Sequence, residues 1–260
     1  MSEKLNALTV SAWLQIARRV RAARHVLLFL DFDGSLVPLR DHPDLAVLSR
    51  AGRWTLGRLA RHPKITLVVI SGRQRADVRR RVNVKGALYL GLHGWEGRHN
   101  ASHKRDIHRR LRPVLRALTR RLGREPGIWI EDKQAALVVH YRKAAKPAVR
   151  RARQEVRETL RAFEPEFHCL GGKDIWEILP TSNQGKNAAV RKLVKSCSAR
   201  TEWIYIGDDH SDERAFAVLP QGLTMRVGPA RRTRARFRLH DSGEVLHFLQ
   251  SLENALRGRE

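Results

Sequence analysis

Asp31 and Asp33 stand one residue apart in the run Asp31-Phe32-Asp33-Gly34-Ser35. Two carboxylates at that spacing can divide a reaction between them, one attacking while its neighbour handles the proton. In extended chain, residues i and i+2 share a face, so both can converge on one small volume. An Asp-Gly step by itself would mean only a turn. Here the same grammar recurs. The apolar run 65–70 ends in Ser71-Gly72-Arg73, and the run 203–206 ends in Gly207-Asp208-Asp209-His210-Ser211-Asp212-Glu213. Between them, Gly185-Lys186 opens a helical pattern through Ala189, Val190, Leu193 and Val194.

Residues of this kind must be delivered by strands. The run His25-Val26-Leu27-Leu28-Phe29-Leu30 reads as a strand buried on both faces. Open α/β sheets bind their ligands at the carboxyl ends of such strands. Residues 1–98 alternate helix and strand, with strands near 25–31, 65–70 and 87–91. Residues 180–260 resume the alternation, with a helix at 185–195, strands at 202–206 and 223–227, and a closing helix around 243–257. The pattern predicts an α/β fold, a doubly wound Rossmann-like parallel sheet assembled from both ends of the chain. Residues 99–179 have a different rhythm: a helix near 106–122, strands at 127–131 and 135–141, a helix near 147–163, and strands at 167–170 and 174–179. This middle segment reads as an inserted α/β cap domain, expected to cover the catalytic end of the sheet.

At 260 residues and 42% apolar content, the chain can bury a sizeable core as one large domain or two modest ones. Cys169 and Cys197 form no Cys-x-x-Cys pair, which argues against a disulfide framework or a zinc site. No apolar run approaches the length of a membrane span. The amino terminus has no signal-peptide core, and Leu5, Leu8, Trp13, Ile16 and Val20 instead fit an amphipathic helix. A cytoplasmic monomer with no membrane partner is the expectation.

Charge is the unusual feature, a formal net +25. An excess of this size would suit a nucleic-acid or membrane partner. It is spread along the chain, however. Arg109, Arg112, Arg116 and Arg120 interleave with Leu111, Leu115, Leu118 and Leu122. Arg150, Arg153, Arg157 and Arg161 do the same with Val149, Ala152, Val156, Leu160 and Phe163. Both patterns read as helices with one buried and one solvated face. The densest run, 231–238, follows a strand and lacks repeated aromatics. The charge therefore reads as solvated surface that also attracts anionic substrates, with no specific nucleic-acid partner.

Taken in order, Asp31-Phe32-Asp33, Ser71, Lys186 and the acidic run 207–213 resemble the motifs of the haloacid dehalogenase superfamily of phosphatases. The resemblance implies that Asp31 is the nucleophile and Asp33 the general acid and base. It implies that Ser71 and Lys186 bind the transferring phosphoryl group. It also implies a Mg²⁺ site of Asp31, Asp33, Asp208 and Asp209, with Asp212 as a further ligand or a support behind it. The chemistry is coherent. A carboxylate attacking phosphorus gives a labile acyl phosphate. A hard divalent cation offsets the repulsion between a dianionic ester and two carboxylates. No Walker-type glycine loop is present, which disfavours nucleotide hydrolysis.

An insert between the second and third motifs is the cap arrangement of one branch of that superfamily. Gly91-Leu92-His93-Gly94, Glu131-Asp132-Lys133, His140-Tyr141-Arg142, Trp176-Glu177-Ile178-Leu179-Pro180 and the run 207–213 look like the signature blocks of trehalose-6-phosphate phosphatases. This implies hydrolysis of trehalose 6-phosphate, with Glu131, Lys133 and Glu177 hydrogen-bonding sugar hydroxyls. Ser71, Gly72, Arg73, His93, Gly94 and Arg142 would contact or support the substrate. Carboxylate and ammonium groups suit a polyhydroxylated ligand, although Glu131 and Lys133 alone could equally be a surface ion pair. Arg73 could bind phosphate or cap local structure. The chain departs from the family pattern at Leu179 before Pro180, in one extra residue before Lys186, and in serine at 35 and 211. Related activities on sucrose phosphate or a glycosyl-phosphoglycerate, a non-catalytic sugar-phosphate sensor, and a polyanion-binding protein are the competing readings.

Overall fold

In the computed structural model, which describes residues 6–7, 9–40, 42–97, 101–172, 174–198, 200–229 and 232–258, the buried apolar runs become strands and the amphipathic ones helices. Leu5 and Leu8, Lys173 and Arg231 lie outside the described residues. The chain begins with β1 (Asn6–Ala7), α1 (Val10–Ala22), β2 (His25–Asp31), α2 (Arg50–Arg61), β3 (Ile65–Ile70), α3 (Arg75–Val82) and β4 (Leu88–Leu90). Next come α4 (Ala101–Leu122), β5 (Trp129–Asp132), β6 (Leu137–His140), α5 (Lys146–Arg161), β7 (Phe167–Gly171) and β8 (Ile175–Pro180). The last stretch holds α6 (Lys186–Lys195), β9 (Thr201–Gly207), α7 (His210–Phe216), β10 (Leu223–Val227), β11 (Phe237–Leu239) and α8 (Ser242–Leu256). Two compact units result, Met1–Gly97 with Gly185–Glu260, and Arg98–Gln184.

The first unit is built on a seven-stranded sheet in the order β1-β11-β10-β9-β2-β3-β4, parallel throughout. Its strands bury both faces. On β2, Val26, Leu28 and Leu30 join Ile16 and Val20 of α1, Leu56 and Leu59 of α2, and Phe248 and Leu249 of α8. Leu27 and Phe29 join Val190 of α6, Ala215 and Phe216 of α7, and Tyr205 of β9 on the opposite face. That division between alternate residues is what a doubly wound sheet requires. The sheet is wider than the sequence pattern suggested, because β1 and β11 extend it. At the end of the arginine-rich run, Phe237 and the following Leu239 are buried while Arg238 Nε donates to Gly228 O at 3.1 Å. Three residues are too few for an alternating pattern to stand out against neighbouring arginines.

The second unit has the antiparallel order β5-β6-β8-β7. Leu111, Val114, Leu118 and Leu122 of α4 and Ala152, Val156 and Leu160 of α5 are buried, as are Leu137, Val139 and Ile178 of the strands. The arginines at 109, 112, 116 and 120 on α4 and at 150, 153, 157 and 161 on α5 are exposed, as their spacing predicts. Among the described residues, no helix is long and apolar enough to cross a membrane.

One ionic network fixes the segment after β2 to α3. Asp77 accepts from Arg73 Nη1 at 3.0 Å, Arg80 Nη2 at 2.7 Å and Arg81 Nε at 2.8 Å. Arg81 continues to Asp44 Oδ1 at 2.8 Å and Ala46 O at 3.1 Å. Burial alone would raise the Asp77 carboxyl, but the hydrogen bonds from Arg81, Arg73 and Arg80 outweigh it and hold it down at about 2. Because this lies below the unfolded value of about 3.9, the network stabilises the fold above that pH. The contribution is lost as pH falls through about 2. Asp77→Asn is expected to lower unfolding stability by roughly 2 kcal/mol near neutral pH in denaturant titrations. The gap to wild type is expected to narrow steadily below about pH 4.

Candidate active site

Asp31 closes β2 with the parity of Leu27 and Phe29, so its side chain belongs to the sheet face covered by α6 and α7. Each of those helices contributes a charged residue there. Lys186 is the first residue of α6 and Asp212 lies in the first turn of α7. Lys186 Nζ donates to Asp31 Oδ1 at 2.6 Å and to Asp212 Oδ1 at 2.8 Å, with its side chain only 2% exposed. Tyr205 Oη donates to the same Asp212 oxygen at 2.7 Å. Asp212 Oδ2 accepts the backbone N–H groups of Asp208 and Asp209, each at 3.0 Å. Asp209 in turn caps α7, its Oδ1 accepting from Ser211 N at 2.8 Å and Asp212 N at 3.0 Å. The acidic run after β9 is thus a capping box wrapped around one buried carboxylate.

Two glycines permit the close packing. Gly34 turns the chain at φ +86°, and a Cβ there would lie 2.1 Å from Asp208 Oδ2. Gly94, at φ +95°, sits where a Cβ would come within 2.3 Å of Ala189 Cβ on α6. The loop before it is also left-handed, with φ of 48° at Leu92 and 58° at His93. Such values are strained for residues bearing side chains. They are held by backbone bonds to the neighbouring loop after β3, from Leu92 N to Arg73 O at 2.8 Å and from His93 N to Ser71 O at 2.9 Å.

Asp33 goes elsewhere. The strand ends at Asp31, the alternation ends with it, and Arg73 clasps Asp33 through Nε to Oδ2 and Nη2 to Oδ1, both at 2.7 Å. The same guanidinium bonds Asp77 and Pro43 O. Arg73 thus holds two carboxylates of its own unit together. Ser71 is buried, and its Oγ accepts from Arg73 N at 3.1 Å.

Among the described residues, the carboxylates that bring an oxygen each within 4.8 Å of one another are Asp31, Asp208 and Asp212. Asp33 is clasped by Arg73, and Asp209 spends its Oδ1 on the helix cap. One ammonium cannot balance this many carboxylates. Burial pushes Asp31 well up, with Lys186 opposing and Asp208 and Asp209 adding to the rise. Burial and then repulsion from Asp212 and Asp209 lift Asp208 to about 7. Asp212 reaches about 8 through burial, against the pull of Lys186. Lys186 itself is held charged, since Asp212 and Asp31 outweigh its own burial. A cluster of hard oxygen donors short of positive charge fits a divalent cation.

The folded state without a cation resists ionising these groups, so its stability declines as pH rises through about 7 to 8. A divalent cation removes that penalty. The rise in melting temperature on adding the cation is expected to be larger near pH 8 than near pH 6, and this pH dependence is expected to weaken in Asp208→Asn.

The residues expected to contact the sugar, Glu131, Lys133, Glu177 and Arg142, lie in the second unit. Lys133 Nζ donates to Glu177 Oε1 at 3.2 Å, with side chains 12% and 9% exposed. Glu131 Oε2 lies 3.0 Å from His140 Nε2. Arg142 Nε is 3.4 Å from Asp174 Oδ2 on the surface. Sequence reasoning missed Tyr205, Asp77 and His140 as partners of site residues. The one available signal was a tyrosine inside the apolar run 203–206, since a buried hydroxyl needs a partner.

The trehalose-phosphatase family model matches residues 29–241. A trehalose 6-phosphate phosphatase of Zea mays is 31% identical over 278 residues, spanning 96% of this chain and 76% of the relative. A trehalose-phosphate phosphatase of Mycobacterium tuberculosis is 34% identical over 256 residues and 90% of this chain; the chain spans 63% of that relative's length. The solved C-terminal domain of a C. albicans trehalose-6-phosphate phosphatase superposes with a TM-score of 0.81 at 23% identity, covering 96% of this chain and 99% of that one. The matched span begins inside β2 and ends after β11, taking in both the Asp31–Lys186 centre and the inserted unit. The chain belongs to the trehalose-phosphatase family.

Proposed function

We propose that this chain is a Mg²⁺-dependent phosphatase that hydrolyses trehalose 6-phosphate to trehalose and phosphate. The observation that carries the chemistry is the Lys186 bridge between Asp31 and Asp212, beside Asp208, at the carboxyl ends of β2 and β9. The substrate follows from the family to which the chain belongs.

In this reading Asp31 attacks phosphorus and forms an aspartyl phosphate, expelling the sugar oxygen. Lys186 directs Asp31 and stabilises phosphoryl oxygens as charge gathers on them. Ser71 accepts a backbone N–H at Oγ, which leaves its own hydrogen for a phosphoryl oxygen. Asp33 supplies the proton to the leaving oxygen and removes one from the water that cleaves the acyl phosphate. To do so it must give up part of its clasp with Arg73. Asp31 and Asp208 are the residues that would hold Mg²⁺, because both oxygens of Asp212 already accept hydrogen bonds. When bound, the cation would offset the charge repulsion between the ester and the carboxylates. We assign sugar recognition to the inserted cap unit, through Glu131, Lys133 and Glu177 with Arg142, and place the enzyme in the cytoplasm as a monomer.

Phosphate release from trehalose 6-phosphate, sucrose 6-phosphate, glucose 6-phosphate and a glycosyl-phosphoglycerate, with and without Mg²⁺, tests the proposal. Trehalose 6-phosphate is expected to have the highest kcat/KM, and Asp31→Asn to lower its turnover by at least ~10³-fold. Equal turnover of all the esters would remove the substrate assignment. Full activity in Asp31→Asn would remove the nucleophile.

A further inference from the structure

Glu131 is only useful for recognising a hydroxyl pattern if its carboxylate plane is fixed. A free glutamate samples several rotamers and would lose part of any binding energy in being ordered. The sheet of the second unit provides a fixing device that no family block explains. Trp129 and Glu131 lie on one face of β5, since alternate strand residues share a face. Trp129 pairs directly with His140 of the neighbouring antiparallel strand β6. The two rings lie parallel, at an interplanar angle of 0° with centroids 3.7 Å apart. Parallel stacking leaves the imidazole one plane, and its Nε2 then meets Glu131 Oε2 at 3.0 Å. A carboxylate accepts only, so Nε2 carries the hydrogen. The side chain of His140 is 18% exposed, and Trp129 is 46% exposed. Among the described residues, Glu131 Oε1 has no hydrogen-bond partner, which leaves one edge of the carboxylate for a ligand hydroxyl.

We propose that His140 is a positioning residue for sugar recognition, oriented by its stack on Trp129 and acting through its hydrogen bond to Glu131. The inference rests on the assignment of Glu131 to the sugar of a sugar phosphate. The competing account is a cross-strand aromatic pair that merely stabilises the sheet. It differs in what it moves: sheet stability without sugar affinity.

Two substitutions at His140 separate the functions of the ring. His140→Phe keeps a ring for Trp129 but has no hydrogen to donate. His140→Gln keeps a donor near the Nε2 position without the stack. With trehalose 6-phosphate and Mg²⁺, His140→Phe is expected to raise KM about tenfold, the scale of one hydrogen bond to a charged group, with kcat held within about twofold. His140→Gln is expected to recover part of that loss, since it donates without being held by the stack, even if its melting temperature falls. In a cycle with Glu131→Gln, the double variant carrying His140→Phe is expected to match Glu131→Gln alone, because one residue acts through the other.

An unchanged KM in His140→Phe overturns the proposal, as do equal KM increases in the Phe and Gln variants or effects that multiply in the cycle. Should His140→Phe fail to fold, a tenfold KM increase in His140→Gln is itself a contradiction. Failure of the underlying assignment has a separate signature. Wild type would then release no phosphate from sugar phosphates, or Glu131→Gln would leave KM unchanged.

Discussion

The buried ammonium of Lys186 is the contact on which the catalytic unit depends. It joins the end of β2 to the first turn of α7 through Asp31 and Asp212. Burying a charge of this kind is costly unless it is fully paired. Removing one partner from such a cluster typically costs about 3–5 kcal/mol, because the other charge is left stranded. Lys186 sits at the head of α6 directly after Gly185, whose φ of +79° turns the chain into the helix. The return of the chain from the inserted unit therefore delivers the cation that the first segment of the core lacks.

A second constraint is the surplus of negative charge around that lysine. Asp31, Asp208, Asp209 and Asp212 gather at the ends of two adjacent parallel strands, with β2 and β9 in register from His25 to Leu30. Asp212 is saturated by Lys186, Tyr205 and two backbone N–H groups, and so acts as the rigid centre of the loop. Asp31 and Asp208 keep the freedom to bind. Burial and mutual repulsion push the Asp31 and Asp208 carboxyls up, which fits a divalent cation at these oxygens. Arg73 performs a complementary task for Asp33, clasping its carboxylate through two hydrogen bonds.

Much of this was legible in the chain, and the reasons are local. Asp31, Ser71 and Asp208 each follow an apolar run long enough to be a buried strand, and Lys186 follows a glycine at the start of an amphipathic pattern. Such signals depend on neighbours within a few residues. Less was legible where partners are distant in sequence or where a local period breaks. Asp31 and Asp33 were expected to converge because strand residues alternate, yet the strand ends at Asp31 and Asp33 turns to Arg73. The capping box at Asp209 was a local motif hidden inside the acidic run that drew attention for its charge. β1 and β11 were invisible because two or three residues carry too little pattern. His140 sat in a family block with no role, and only strand register showed Trp129 opposite it.

In the proposed reaction Asp31 becomes covalently phosphorylated. The most direct measurement is a millisecond acid quench of enzyme mixed with trehalose 6-phosphate and Mg²⁺, followed by mass analysis of the peptide containing Asp31. A transient phosphoryl group on Asp31 is expected to form before free phosphate appears and to decay as phosphate accumulates. Phosphate released at full rate with no phosphorylated Asp31 at any time would contradict it.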